Sequence, residues 1–149
     1  MTLPTWLKVV CRAGGTPLQG MFFSISLKMR RKNHFAVPAG PSDGFGVVMV
    51  THADIEHWVN WQRNTFIMDY TGLPDATGDI EVFVMNREAL AGALKAYDLY
   101  RSISDFPPEY PDQLEEAKRI LDGLAPVDLT VEVEHDGEGV VVHTLAVPA

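Results

Sequence analysis

Hydrophobic and polar residues alternate along the first fifty positions and then change to a helical period. From Thr5 to Arg12, Leu7, Val9 and Cys11 share one side while Trp6, Lys8, Val10 and Arg12 share the other, which predicts a strand. After the turn-forming run Gly14-Gly15-Thr16-Pro17, the stretch from Met21 to Arg31 turns Phe23, Ile25, Leu27 and Met29 inward and Ser24, Ser26, Lys28 and Arg30 outward. That is the pattern of a half-buried strand. The segment from Pro38 to Gly44 reads as a loop with an Asp43-Gly44 turn, and Gly46 to Thr51 as an apolar third strand.

At Thr51 the period lengthens. Thr51 and Asp54 have the spacing of a capping box with Asp in place of Glu, and Ile55, Trp58, Val59, Gln62 and Phe66 follow on one stripe. A helix over about 53–70 is predicted, ended by Gly72, Pro74 and Gly78. Asp79 to Asn86 returns to strand, with Ile80, Val82 and Val84 on one side. Asn86 is a candidate N-cap for a second helix over about 87–104, whose apolar face is Leu90, Ala93, Leu94, Tyr97 and Tyr100. Pro107 and Pro108 interrupt it, because proline lacks an amide hydrogen and restrains its predecessor. Pro111 suits the first turn of a third helix over about 111–122, with Leu114, Ala117, Leu121 and Leu124 along one side. Val127, Leu129, Val131 and Val133 then alternate with acids and Thr130, Asp136-Gly137-Glu138-Gly139 supplies turn residues, and Val140 to Val147 runs back. This predicts a C-terminal β-hairpin. Its register stays open: loops of two or four residues pair Glu132 with His143, and loops of three or five pair Val131 with it.

The expected architecture is a single α+β domain spanning 1–149: an antiparallel β-sandwich with two to three inserted helices. Crossovers before residue 51 are too short to contain helices, which excludes a parallel sheet there. The run Gly15-Thr16-Pro17-Leu18-Gln19-Gly20, an alternating strand, and then Gly40-Pro41-Ser42-Asp43-Gly44-Phe45-Gly46-Val47 resembles the transthyretin-like (prealbumin-like) sandwich of carboxypeptidase regulatory-like domains. The resemblance covers about residues 5–51. It implies a binding or structural module with no shared catalytic residues. Helices over 53–70 and 87–122 depart from that family, which has strands and short loops there.

Composition narrows the class. The chain has 149 residues, 46% hydrophobic, enough to bury a core without staples and too apolar for a disordered chain. Cys11 is the lone cysteine, which excludes a disulfide scaffold. No run approaches the roughly 20 apolar residues that span a bilayer, and Lys8 interrupts the first apolar stretch, so no signal peptide is read. The expectation is a cytoplasmic protein without a membrane partner.

The net charge of -8 argues against nucleic acid as a partner, because phosphate binding needs several cations at once. The charge is also unevenly placed. Residues 1–50 hold Lys8, Arg12, Lys28, Arg30, Arg31 and Lys32 against the single acid Asp43, a net of +5, which leaves -13 on the remainder. The cluster Lys28, Arg30, Arg31 and Lys32 is a candidate partner-binding site; its plainer reading is a set of charges that keeps a strand edge from aggregating.

Candidate chemistry is sparse. His52-Ala53-Asp54-Ile55-Glu56-His57 has one residue more than the His-x-x-Glu-His zinc motif. At 100° per residue His52 and His57 project about 140° apart, whereas His52 and Glu56 share a face. A metal-dependent enzyme using His52, Glu56 and His143 is therefore the minor alternative, and helix-capping polar residues the plainer one. Intradiol dioxygenases also use a prealbumin-like sandwich, but their His-x-His pair is absent here. No Gly-x-Ser-x-Gly, P-loop or Gly-x-Gly-x-x-Gly occurs. Cys11 alternates with core-facing residues and reads as a buried hydrophobe. Asp128, Asp136 and Glu138 form an acidic turn that needs no calcium to explain it. Trp58 falls on the apolar stripe of the first helix and Trp61 at its margin, where an exposed indole suits a sugar ring or a partner chain.

The function expected from the sequence is a noncatalytic protein-interaction or structural module able to self-associate head to tail. It has no catalytic residues, metal or cofactor, and Trp58, Trp61, Lys28, Arg30, Arg31 and Lys32 are its candidate contacts. The alternative is a domain binding a small ligand or carbohydrate through Trp61 and the loop from Pro38 to Phe45.

Overall fold

The computed structural model describes residues 5–29, 34–66, 76–100, 107–124, 129–137 and 141–145. Its first sheet is built on β1 (Trp6–Ala13). Gly14 and Gly15, both at positive φ, form the two-residue turn into the short β2 (Thr16–Pro17). On the same side of β1, β5 (Val47–Thr51) runs antiparallel from Trp6↔Thr51 to Val10↔Val47. On the other side β7 (Leu129–His135) pairs antiparallel from Leu7↔His135 to Ala13↔Leu129. The second sheet has the order β4-β3-β6-β8, with β3 (Phe23–Met29), β4 (His34–Ala39), β6 (Ala76–Val84) and β8 (Val141–Leu145).

Alternation explains what the sheets bury. Leu7, Val9 and Cys11 of β1, Val48 and Val50 of β5, Phe23 and Ile25 of β3, and Ile80, Val82 and Val84 of β6 join one hydrophobic cluster. Ile55, Leu90, Leu114, Ala117 and Leu121 of the helices complete it. Fully burying one Leu or Ile side chain contributes about 1.5–3 kcal/mol, so this shared cluster is the main force holding sheets and helices together.

Each helix starts on a local device. For α1 (His52–Phe66), the Thr51 amide and hydroxyl donate to Asp54 Oδ2 at 2.9 and 3.0 Å, and the Asp54 amide donates back to Thr51 Oγ1 at 3.2 Å. This is the reciprocal capping the spacing predicts. For α2 (Arg87–Tyr100), Asn86 Oδ1 accepts from the Ala89 amide at 2.8 Å. In α3 (Tyr110–Asp122), Pro111 occupies the first turn, and Leu114, Ala117 and Leu121 are buried as expected.

The structure corrects three expectations. The C-terminal hairpin does not form: β7 joins the first sheet, with Val131 opposite Cys11 and Glu132 opposite Val10, whereas β8 joins the second, with His143 opposite Glu81. β8 also runs parallel to β6, so the second sheet is mixed. β7 pairs along β1 and β8 along β6, which places each strand in a larger sheet, whereas isolated hairpins are marginal in water. The segment read as loop from Pro38 contains the end of β4; Pro38 is tolerated because β4 is an edge strand. α1 is described to Phe66 and α2 to Tyr100, and their predicted extensions to about 70 and 104 lie outside the described residues. No helix among the described residues is long and apolar enough to cross a membrane.

Candidate functional site

The edge strands of the two sheets, β4 and β5, come together at a seam, and a cleft of about 350 Å³ opens there. Val37 to Ala39 form one wall and Val47 to Val50 the other, with Phe22 also lining the cleft. α1 contributes Asp54 and Trp58, four residues and therefore about one turn apart, and the start of α3 contributes Tyr110 and Gln113. Ligand sites occupy about 300–1,000 Å³ with mostly apolar walls and a few placed polar groups, and this cleft fits the lower end of that range.

The aromatic walls are held by their neighbours. Trp58 is half-buried against the core, and its ring meets that of His57 edge-on at 5.4 Å. Tyr110 is 8% exposed and meets Phe22 at 5.9 Å in a T-shaped contact and Tyr97 at 6.1 Å. Burial pushes the Tyr110 phenol up to about 12, so it stays neutral at physiological pH. The described hydrogen bonds to the Asp54 carboxylate end on Oδ2, the oxygen that caps α1.

A second, shallower hollow of about 640 Å³ shares Pro41 and Gln113 with the first. Glu109, Asp112, Glu116 and Arg119 line it. Arg119 is engaged within its own helix, its Nε and Nη2 lying 2.8 and 2.6 Å from Glu116 Oε2. Glu109 sits at the N-cap position of α3 but makes no capping hydrogen bond with its side chain. The joined surface is thus an aromatic cleft opening beside carboxylates, and Arg119, the one cation among the described lining residues, is already paired.

The sequence-predicted residues scatter. Trp58 is in the cleft; Trp61 lies on α1, and its side chain is outside the described residues. Lys28 ends the β3–β4 ladder opposite His34, its side chain outside the described residues, as are Arg30, Arg31 and Lys32 altogether. Of the loop proposed for a ligand, Pro38 to Pro41 line the cleft, whereas Phe45 is 79% exposed away from it. His52 and Glu56 approach to 3.9 Å on α1 with both side chains about half exposed. His143 is on β8 of the other sheet. Among the described residues no three of His, Cys, Asp and Glu are grouped to hold a metal. Of the acidic turn, Asp136 is engaged with Thr5 and Trp6, and Asp128 and Glu138 are outside the described residues.

Sequence reasoning overlooked Tyr110 and Gln113, and read Asp54 only as a cap. The i, i+4 spacing of Asp54 and Trp58 was a usable signal, since it places an acid and an indole on one helix face. Comparison with known proteins finds no matching family model, no matching curated protein and no matching solved structure.

Proposed function

We propose that this chain is a noncatalytic interaction module whose cleft receives a cationic side chain, arginine or lysine, from a protein partner. The observation that carries this reading is that Trp58 and Asp54, on one face of α1, line the same cleft as Tyr110. An aromatic face attracts a guanidinium or ammonium through its quadrupole, and a carboxylate beside it adds direction. Glu109 and Asp112 next to the cleft extend the negative surface, and the long apolar stem of either residue suits walls of Val, Pro and Met. Within the same proposal the segment over about 5–51 is transthyretin-like, supported by the Gly14-Gly15 turn and the antiparallel β3–β4 pair.

Titration with a fluorescein-labelled tetra-arginine peptide tests the reading, with a tetra-glutamate peptide as control. Binding of the cationic peptide alone is expected, weakening as salt rises. Trp58→Ala should lower affinity roughly 2- to 30-fold, the range of a cation–π contact. Asp112→Asn, at an exposed residue whose loss leaves the core intact, should lower it independently. Equal affinity for both peptides, or affinity indifferent to both variants, rejects the reading. A second reading, a small neutral ligand such as a sugar ring, is favoured by the size of the cleft and the amide of Gln113. Binding of a neutral methyl glycoside in place of the peptide would select it.

A further inference from the structure

The cleft and the Lys28–His34 pair lie at opposite ends of the β3–β4 ladder. Phe23 pairs with Ala39 at the end of the β3–β4 ladder beside the cleft, where Phe22, Ala39 and Gly40 contribute to its lining. Lys28 pairs with His34 at the other end, where Arg30, Arg31 and Lys32 follow in sequence. Five residues of strand separate the ends, about 17 Å at roughly 3.3 Å per residue. The connected ladder holds the Lys28 end away from the cleft of its own chain.

From this placement we propose that the cationic partner is a second copy of this chain, which inserts its 28–32 segment into the aromatic cleft of the first. The inference rests on the cation-binding reading above and names its occupant. Charge complementarity supports it: four cations within five residues face a surface carrying Asp54, Glu109 and Asp112. Because the cleft and the basic segment are different parts of the chain, the contact is heterologous. Each added copy leaves one cleft and one basic segment open, so assembly continues into chains or closes into a ring and does not stop at a symmetric dimer.

Sedimentation velocity on the full chain, over a concentration series at low and high salt, reads this directly. At low salt the weight-average mass should climb past twice the 16.5 kDa monomer, and at about 0.5 M salt it should fall to monomer. Two variants each remove one surface: Arg30→Ser/Arg31→Ser/Lys32→Ser removes the donor, and Glu109→Lys/Asp112→Lys removes the receptor. Each alone should be monomeric, and their mixture should form a 1:1 dimer that grows no further. Circular dichroism of both variants confirms that folding is retained.

Undiminished assembly of the donor variant, or a salt-insensitive closed dimer, overturns the proposal. A monomer at every salt that still binds the tetra-arginine peptide overturns the second-copy assignment and leaves the cation-binding reading standing. A protein that binds neither itself nor the peptide overturns both.

Discussion

Asp136 closes the far end of the β1–β7 ladder onto Thr5, 131 positions earlier in the chain. Its Oδ1 accepts the Thr5 amide at 2.7 Å and the Trp6 amide at 3.3 Å, and its Oδ2 accepts the Thr5 hydroxyl. The Thr5 hydroxyl is the main reason the carboxyl titrates below the usual aspartate range, with the amides adding to it and desolvation opposing. A carboxylate with a depressed value stabilises the fold above its unfolded pKa and loses that contribution as pH falls through the folded one. Asp136→Ala should therefore melt below the wild type at neutral pH, with the gap constant down to about pH 5 and narrowing below about pH 4. Thermal scans between neutral and strongly acid pH check this; a gap unchanged in acid contradicts it.

Ser42 performs a similar task inside the protein. Only 2% exposed, its hydroxyl donates to the Leu18 carbonyl at 2.6 Å and accepts the Met21 amide at 2.9 Å. Its own amide and carbonyl bond Met21 and Gly20. The turn residues that suggested a sandwich at 15–20 and 40–47 are thus clasped to one another. Ser42→Ala leaves a buried donor and acceptor unpaired, a loss of about 1–3 kcal/mol in urea unfolding. A loss below about 0.5 kcal/mol would show that the clasp is not under tension from burial.

Gly46 and Gly14 separate two penalties. Both have positive φ, +75° and +58°, but a Cβ at Gly46 would overlap the Cys11 carbonyl oxygen, whereas at Gly14 it would meet nothing within 4 Å. Gly14→Ala should cost about 1–2 kcal/mol, the backbone penalty alone. Gly46→Ala should exceed it, since it also displaces the carbonyl of the strand where β1 exchanges β5 for β2. Equal losses in denaturant titration would refute the overlap.

Cys11 is fully buried, and burial pushes its thiol up to about 11, so it is neutral at physiological pH. A thiol reagent at pH 8 should modify it only as fast as the protein unfolds. Modification within minutes under native conditions would contradict this.

How far the sequence was legible depends on the range of each interaction. The Thr51–Asp54 box and the Asn86 cap involve groups three residues apart, and both stand where their spacing put them. The inward sides of β1 and β6 followed from alternation, because a strand with one buried face admits a single phase. Val10 departs from this: it is buried on the side of β1 expected to face outward. β4 escaped notice because Pro38 and Gly40-Pro41 read as breakers, although an edge strand tolerates them. The hairpin failed because pattern identifies strands without their partners. Val131 pairs with Cys11 and Val142 with Ile80, on strands from two different sheets.

The cleft shows the same division. Asp54 and Trp58 share a helix face by periodicity alone, which any reader of the sequence can draw. Their meeting with Tyr110, Gln113 and Pro38 depends on how α1 and α3 settle on the two sheets.

The chain by itself determined its α+β composition, its helix starts, the alternating core positions of β6 and the separation of +5 from -13 along its length. Each of these arises from interactions spanning a few residues or from simple counting. The tertiary structure alone decided that β7 and β8 part to different sheets, that two sheet edges leave a seam, and that acids from two helices border one aromatic cleft. Those outcomes come from burying apolar surface, a non-directional force that selects partners by shape over the whole molecule and leaves no local mark in the sequence.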